Sequence, residues 1–236
     1  MQSVTEAPRR RDFLATNRGG GLYSEAISQP FGSVLALIGA RLGLAPTVLT
    51  LANLVIGLAT SVALVVLAPR AVAGTAPAWS LGLLALLGWQ VAYALDCADG
   101  QLARVTGRTS AAGGRLDILC DVAAQTGLVT ALAAVSVAYR PQTPTWLVAA
   151  FAGSWMVNLI TSVMQSGPNA ASMVPSRSLP VRLVKLVRDY GAVITLAGLV
   201  LLVAPQWTVA VLVAFTVVNG LFLLASIAFS ARASMR

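Results

Sequence analysis

An all-α, polytopic membrane protein is the fold class this sequence predicts, on three observations. Hydrophobic residues make up 57% of the chain and charged residues only 10%, against roughly 25% charged in soluble domains. Several apolar runs approach or exceed the ~20 residues that carry a helix across a bilayer. The basic residues are also distributed unevenly. Of the 16 Lys and Arg, only Arg70 and Arg140 fall outside the segments expected on the inner side. That asymmetry orients a six-span layout with both termini in the cytoplasm.

Residues 1–23 are polar and basic, with Arg9, Arg10, Arg11 and Arg18 before a Gly19-Gly20-Gly21 run. They read as a disordered cytoplasmic tail. An electrostatic hold on anionic lipid is the functional alternative, and the weaker one without an adjoining amphipathic face. No secretory cleavage is expected, because an early apolar core with a small-residue cleavage site is missing. Residues 24–43 predict an interfacial amphipathic helix that Ser24 caps. Ile27, Phe31, Val34, Leu35, Ile38 and Leu42 recur at helical spacing, with Arg41 at headgroup level. A short packing helix before the first span is the alternative of equal weight.

Residues 44–236 then form the six-span domain, with spans at about 46–67, 79–107, 113–138, 145–166, 181–203 and 207–229. Pro69, Pro77, Pro141, Pro144 and Pro205 punctuate the connections on one side, Pro175 and Pro180 those on the other. The second span is longer than a bilayer needs, so its last turns reach the membrane surface.

The net charge of +8 does not imply nucleic acid, because the basic residues are scattered beside apolar spans as the positive-inside rule requires. Cys97 and Cys120 lack a metal-binding spacing and read as small packing residues. Histidine is absent, which removes the commonest general base and transition-metal ligand. Asn53, Gln90, Gln125, Asn158 and Asn219 read as bonds between helices.

Four of the 8 acidic residues lie between Asp96 and Asp121, at the edge of apolar spans where a carboxylate is costly unless paired or bound to a cation. At 100° per residue, Asp96, Asp99, Gly100, Ala103 and Gly107 share one face of span two. Asp117 and Asp121 are one turn apart on span three, with Gly113 and Ala124 on the same side. A short turn makes the two helices antiparallel neighbours, so the four carboxylates converge in one cleft. Oxygen-only ligands suit Mg²⁺ or Mn²⁺, and two such ions can clamp a diphosphate. The small residues leave room for a ligand, and Arg104 can neutralise a phosphate oxygen. Structural ion pairs with Arg104, Arg108 and Arg115 would explain one or two carboxylates, not four. A divalent-cation transporter fits less well, because the cluster sits near one face and no inverted repeat is visible.

The pattern Asp-x2-Asp-Gly-x2-Ala-Arg-x8-Gly-x3-Asp-x3-Asp, filled by Asp96, Asp99, Gly100, Ala103, Arg104, Gly113, Asp117 and Asp121, resembles the signature of the CDP-alcohol phosphotransferase family. The resemblance covers the chain from about residue 24. It implies a membrane enzyme of phospholipid synthesis (EC 2.7.8 class) at the cytoplasmic face of the cell membrane. Such an enzyme transfers a phosphoalcohol group from a CDP-alcohol to an acceptor alcohol and releases CMP. CDP-diacylglycerol is the expected donor and a small polar alcohol the acceptor; a soluble CDP-alcohol donor is the alternative. Two Mg²⁺ or Mn²⁺ ions are implied on Asp96, Asp99, Asp117 and Asp121, with Asp121 also the base. Gly100, Ala103, Arg104, Ser110 and Gly113 are implied around the CDP moiety, with Thr47 and Thr50 from the start of span one. Thr47 stands where the family has Asn. Homodimers are common in the family and are expected here.

Arg177, Arg182, Lys185 and Arg188 form a second basic cluster before span five. They read equally as positive-inside residues or as a pocket for a phosphate on the acceptor, with Arg182, Lys185 and Arg177 the candidates. Family members that use phosphorylated acceptors place basic residues there.

Overall fold

A computed structural model describes residues 7–17, 21–164 and 186–235. The described residues form helices and no strand. These are α1 (Arg10–Ala15), α2 (Gln29–Arg41), α3 (Pro46–Val72), α4 (Trp79–Val105), α5 (Ala111–Tyr139), α6 (Thr145–Met164), α7 (Tyr190–Val203) and α8 (Thr208–Ser234). A π turn, Ser24–Ser28, leads into α2, and a 3₁₀ turn, Pro205–Trp207, leads into α8.

Among the described residues, four helices are long and apolar enough to cross a membrane: α3, α4, α5 and the Pro205–Arg232 stretch containing α8. The apolar stretches of α6 and α7 are shorter, Thr145–Thr161 and Tyr190–Val203. The described part of the fifth expected span, from residue 186, is interrupted. Val187 and Arg188 lie in a turn, and Asp189 caps α7 by accepting the Gly191 N–H at 3.1 Å. A carboxylate at that position starts a helix, because it satisfies an otherwise orphaned helix N–H.

Part of the expected disordered tail is folded. Phe13 of α1 is fully buried among Ala36, Leu49, Leu95, Ala98 and Leu102. Burial of one such side chain contributes about 1.5–3 kcal/mol, which holds in place a six-residue helix too short to be stable alone. Ser24 is not a helix cap either. Its N–H and hydroxyl donate to Asp189 at 3.0 and 2.6 Å, and its Oγ lies 2.7 Å from the Tyr93 hydroxyl. The chain just before α2 is thereby fastened to the start of α7.

α4 and α5 are not the close antiparallel pair expected from their short connection. Each packs along α3 instead. Gly57 on α3 sits at the crossing, where a Cβ would lie 3.4 Å from Ala124 on α5 and 3.7 Å from Ala92 on α4. Small residues let membrane helices approach closely without a hydrophobic driving force. The connection itself is set by local chemistry. Gly107 has φ +67°, so it closes α4 rather than extending its face as expected. Arg108 donates its N–H to the Ala103 carbonyl at 2.8 Å in the usual glycine-terminated helix end. Ser110 caps α5, its Oγ accepting the Gly113 N–H at 3.0 Å.

α7 packs on the other side of α4, with Gln90 donating to Thr195 Oγ1 at 2.6 Å. α6 packs on α8 through Phe151, Trp155 and Phe215, and the Trp155 indole N–H donates to Gln125 on α5 at 2.9 Å. Arg188 closes this end. It donates to Asn219 at 3.0 Å and Thr161 at 2.7 Å, and lies 3.5 Å from the centre of the Phe222 ring. Burial pulls its guanidinium down to about 10, so it remains charged at neutral pH. Asn53, Gln90, Gln125 and Asn219 all bond between elements, as the sequence predicts.

Candidate active site

Because α4 and α5 both lean on α3, a cleft opens between them near their shared turn. Asp96 and Asp99 project into it from the last turns of α4, Asp117 and Asp121 from the first turns of α5. Carboxylate oxygens of Asp96, Asp99 and Asp117 all lie within 4.8 Å of one another. The Asp121 carboxyl comes within hydrogen-bonding range of Asp96. Asp99 is only 6% exposed, so solvent does little to shield this repulsion.

α3 supplies the supports. Thr50 donates its hydroxyl to Asp99 Oδ2 at 2.5 Å, and Asn53 donates to Asp96 Oδ1 at 3.4 Å. These residues are three apart on one face of α3, and each holds one α4 carboxylate. Arg104 attracts Asp117 and lies over Gly100, where a Cβ would come 2.9 Å from its Nη1. Arg108, which the ion-pair alternative would place on a carboxylate, reaches the Leu44 carbonyl at 3.4 Å.

The sequence pattern is therefore brought together in its acidic part and in Gly100, Ala103 and Arg104, which share the end of α4. Thr50 faces Asp99. Ser110 and Gly113 form the α5 cap, and Thr47 is exposed on the first turn of α3. Arg177, Arg182 and Lys185 lie outside the described residues. Arg188, the fourth cation of the basic cluster, donates to Asn219 and Thr161 and so fastens the start of α7 to α6 and α8.

Several residues beside the site were not singled out in the sequence. Behind the carboxylates stand Tyr93 and Tyr190, their ring centroids 4.8 Å apart and edge to face, with Asp189 on the same network. A signal existed for Asp189, an acidic residue immediately before an apolar segment and so a candidate cap. None existed for the tyrosines, which read as ordinary span residues.

The family model for CDP-alcohol phosphatidyltransferase matches residues 43–230. The chain belongs to the CDP-alcohol phosphatidyltransferase family. Comparison with curated proteins gives no match. This family transfers a phosphoalcohol group from a CDP-alcohol to an alcohol acceptor and depends on divalent metal. The matched region begins just before α3 and leaves α1 and α2 outside it.

The residues of this chain fit such a metal. Asp117 Oδ1 is buried with no hydrogen-bond partner, an arrangement that is expensive unless a cation takes the vacant lone pairs. Two oxygens on opposite sides of Mg²⁺ are about 4 Å apart, so a 4.8 Å spread needs only a small inward movement. The donors are all carboxylate oxygens, which suits Mg²⁺ or Mn²⁺.

Thr50→Val should raise the metal concentration for half-maximal activity by about tenfold, since outer supports of ligands are typically worth 10–100-fold in metal affinity. Thr50→Ser should restore it, because the hydroxyl to Asp99 returns. An unchanged metal requirement in Thr50→Val would show that this hydrogen bond does not set the ligand.

Proposed function

We propose that this protein transfers a phosphatidyl group from CDP-diacylglycerol to the hydroxyl of a small polar alcohol, releasing CMP. It does so with two Mg²⁺ or Mn²⁺ ions on Asp96, Asp99, Asp117 and Asp121. The observation that carries the reading is the convergence of three carboxylates within 4.8 Å, with the fourth beside Asp96. When bound, the ions would neutralise the diphosphate and stabilise CMP as it leaves.

The chain's own residues do the rest. Asp121 takes the proton of the acceptor hydroxyl as its oxygen bonds to the phosphatidyl phosphorus. The bond from that phosphorus to the CMP oxygen breaks, and CMP leaves with the electron pair. A carboxylate is the available base in a chain without histidine. Arg104 meets a phosphate oxygen, and Gly100 leaves it room. Thr50 and Asn53 hold Asp99 and Asp96 from α3, which keeps the geometry fixed before substrate arrives.

The lipid donor is supported by the surface of α5. Ile118, Leu119 and Val122, interleaved with Asp117 and Asp121, are 45%, 65% and 36% exposed, an apolar face on which acyl chains can lie. The positive-inside asymmetry supports a six-span chain in the cell membrane, its termini and cleft on the cytoplasmic side. A homodimer is the family expectation, and the mass of the detergent-solubilised particle tests it.

The test is CMP release by purified protein from CDP-diacylglycerol, with and without Mg²⁺ or Mn²⁺. Metal-dependent release supports the reading. Release only from a soluble CDP-alcohol would move the donor to that class, and metal transport without CMP from any donor would replace the enzyme by a transporter. The acceptor pocket proposed on Arg182, Lys185 and Arg177 has its own test. Arg182→Ala should raise KM for phosphorylated acceptors by about tenfold, the weight of one charge-assisted hydrogen bond, and leave unphosphorylated acceptors unaffected.

A further inference from the structure

We infer that α1 and α2 form a binding site for the headgroup of an anionic phospholipid, separate from the carboxylate cleft. A cavity of about 320 Å³ lies between them, lined by Arg9, Arg10, Arg41, Leu37 and Ala40. That volume is within the roughly 300–1,000 Å³ of ligand pockets.

The chemistry of the walls is selective. Three arginines line the cavity, and Asp12, the acid of α1, is not among the lining residues. Asp12 accepts the Arg9 backbone N–H at 2.7 Å and lies 3.8 Å from Arg11. Arg10 is held by Ser33 Oγ at 3.0 Å and the Pro30 carbonyl at 3.3 Å, which uses only two of its five N–H donors. Arg41 makes no ion pair with a described residue and is exposed. A phosphodiester satisfies this arrangement, since planar guanidiniums match its oxygens.

Next to the cavity runs an apolar stripe. Ile27, Phe31, Val34, Ile38 and Leu42 are 40%, 65%, 40%, 47% and 68% exposed. Arg41 lies roughly 60° around α2 from Ile38 and roughly 180° from Gly32, and Gly32 is packed on α4 against Cys97 and Ala94. The charged cavity thus adjoins the apolar face, and the face bearing on the catalytic helix is opposite. A polar, negatively charged head continuous with apolar chains is the ligand of matching form. Neither α1 nor α2 lies in the region matched by the family, so this site belongs to this chain's own N-terminal segment.

Detergent-purified protein is titrated with dioleoyl-phosphatidylglycerol, dioleoyl-phosphatidylcholine or inorganic phosphate, and the unfolding midpoint is followed by tryptophan fluorescence. Native mass spectrometry counts the lipid retained. Phosphatidylglycerol should raise the midpoint saturably with one lipid retained. The apparent Kd should rise about tenfold or more in Arg41→Gln and, independently, in Arg9→Gln, and stay at the wild-type value in Arg70→Gln. Phosphatidylcholine should not substitute. A wild-type Kd in both Arg41→Gln and Arg9→Gln overturns the site, as does an equal loss in Arg70→Gln or equal stabilisation by phosphatidylcholine. Saturation by inorganic phosphate at the same concentrations would assign the pocket to a free anion instead. If Arg41→Gln does not fold, Arg9→Gln alone decides. None of these readouts uses catalysis, so they stand or fall apart from the phosphatidyl-transfer reading.

Discussion

Asp121→Asn is expected to lower CMP release by about 10²–10⁴-fold, the usual contribution of a positioned general base. An amide cannot take the proton of the acceptor hydroxyl. It keeps the volume of the carboxyl group and can donate to Asp96, its neighbour across the cleft, so the fold should survive and the unfolding midpoint should move little. The experiment must also separate a lost base from a lost metal ligand. Initial rates are therefore measured at rising Mg²⁺ and Mn²⁺. Loss of a ligand is recovered in part by more metal, and loss of the base is not. A fall of less than tenfold, or full recovery at high metal, would remove Asp121 from the role of base. Asp117→Asn makes the useful contrast, since Asp117 lies with Asp96 and Asp99 and its defect should respond to metal.

Asp189→Ala should give the largest loss of stability outside the cleft. Asp189 is 5% exposed and accepts from the Ser24 N–H, the Ser24 hydroxyl and the Gly191 N–H. Each buried donor left without an acceptor costs about 1–3 kcal/mol, so the loss should be at least about 3 kcal/mol. Ser24→Ala removes one of the three donors and should cost about 1 kcal/mol. The two changes share a partner and should not add. In the Asp189→Ala background, Ser24→Ala should cost less than it does in the wild type, because only its contact with the Tyr93 hydroxyl remains to be lost. Additive losses would mean that the two residues are not joined in the working protein.

The sequence made the helical class, most helix boundaries and the four aspartates legible, for identifiable reasons. Long apolar runs mark α3, α4 and α5 well, because a bilayer imposes a minimum length on each. Asp96, Asp99, Asp117 and Asp121 stand out because carboxylates are so rare in such runs. What stayed hidden depends on contacts between distant segments. Phe13 lies in a polar, arginine-rich stretch, and only its burial against α2, α3 and α4 reveals α1. Thr50 and Asn53 are ordinary polar residues of a first span until α4 brings Asp99 and Asp96 against them. The expected pairing of α4 with α5 failed because a short connection fixes where two helices meet, not what fills the space beyond, and α3 with Gly57 fills it. Arg188 read as one of four similar cations, since no local signal marks Asn219 and Thr161 as its partners.

The bond between Ser24 and Asp189 also dictates an order of assembly. These residues are 165 positions apart, and a chain emerges from the ribosome N-terminus first at about 5–20 residues per second. The segment before α2 must therefore wait roughly ten to thirty seconds for its acceptor to be made. Until then the serine stays solvated, and the polypeptide inserted so far remains open at the edge that α7 later closes. A nascent chain arrested before residue 189 should be cut by protease near residues 21–28, and one arrested after α7 has inserted should resist.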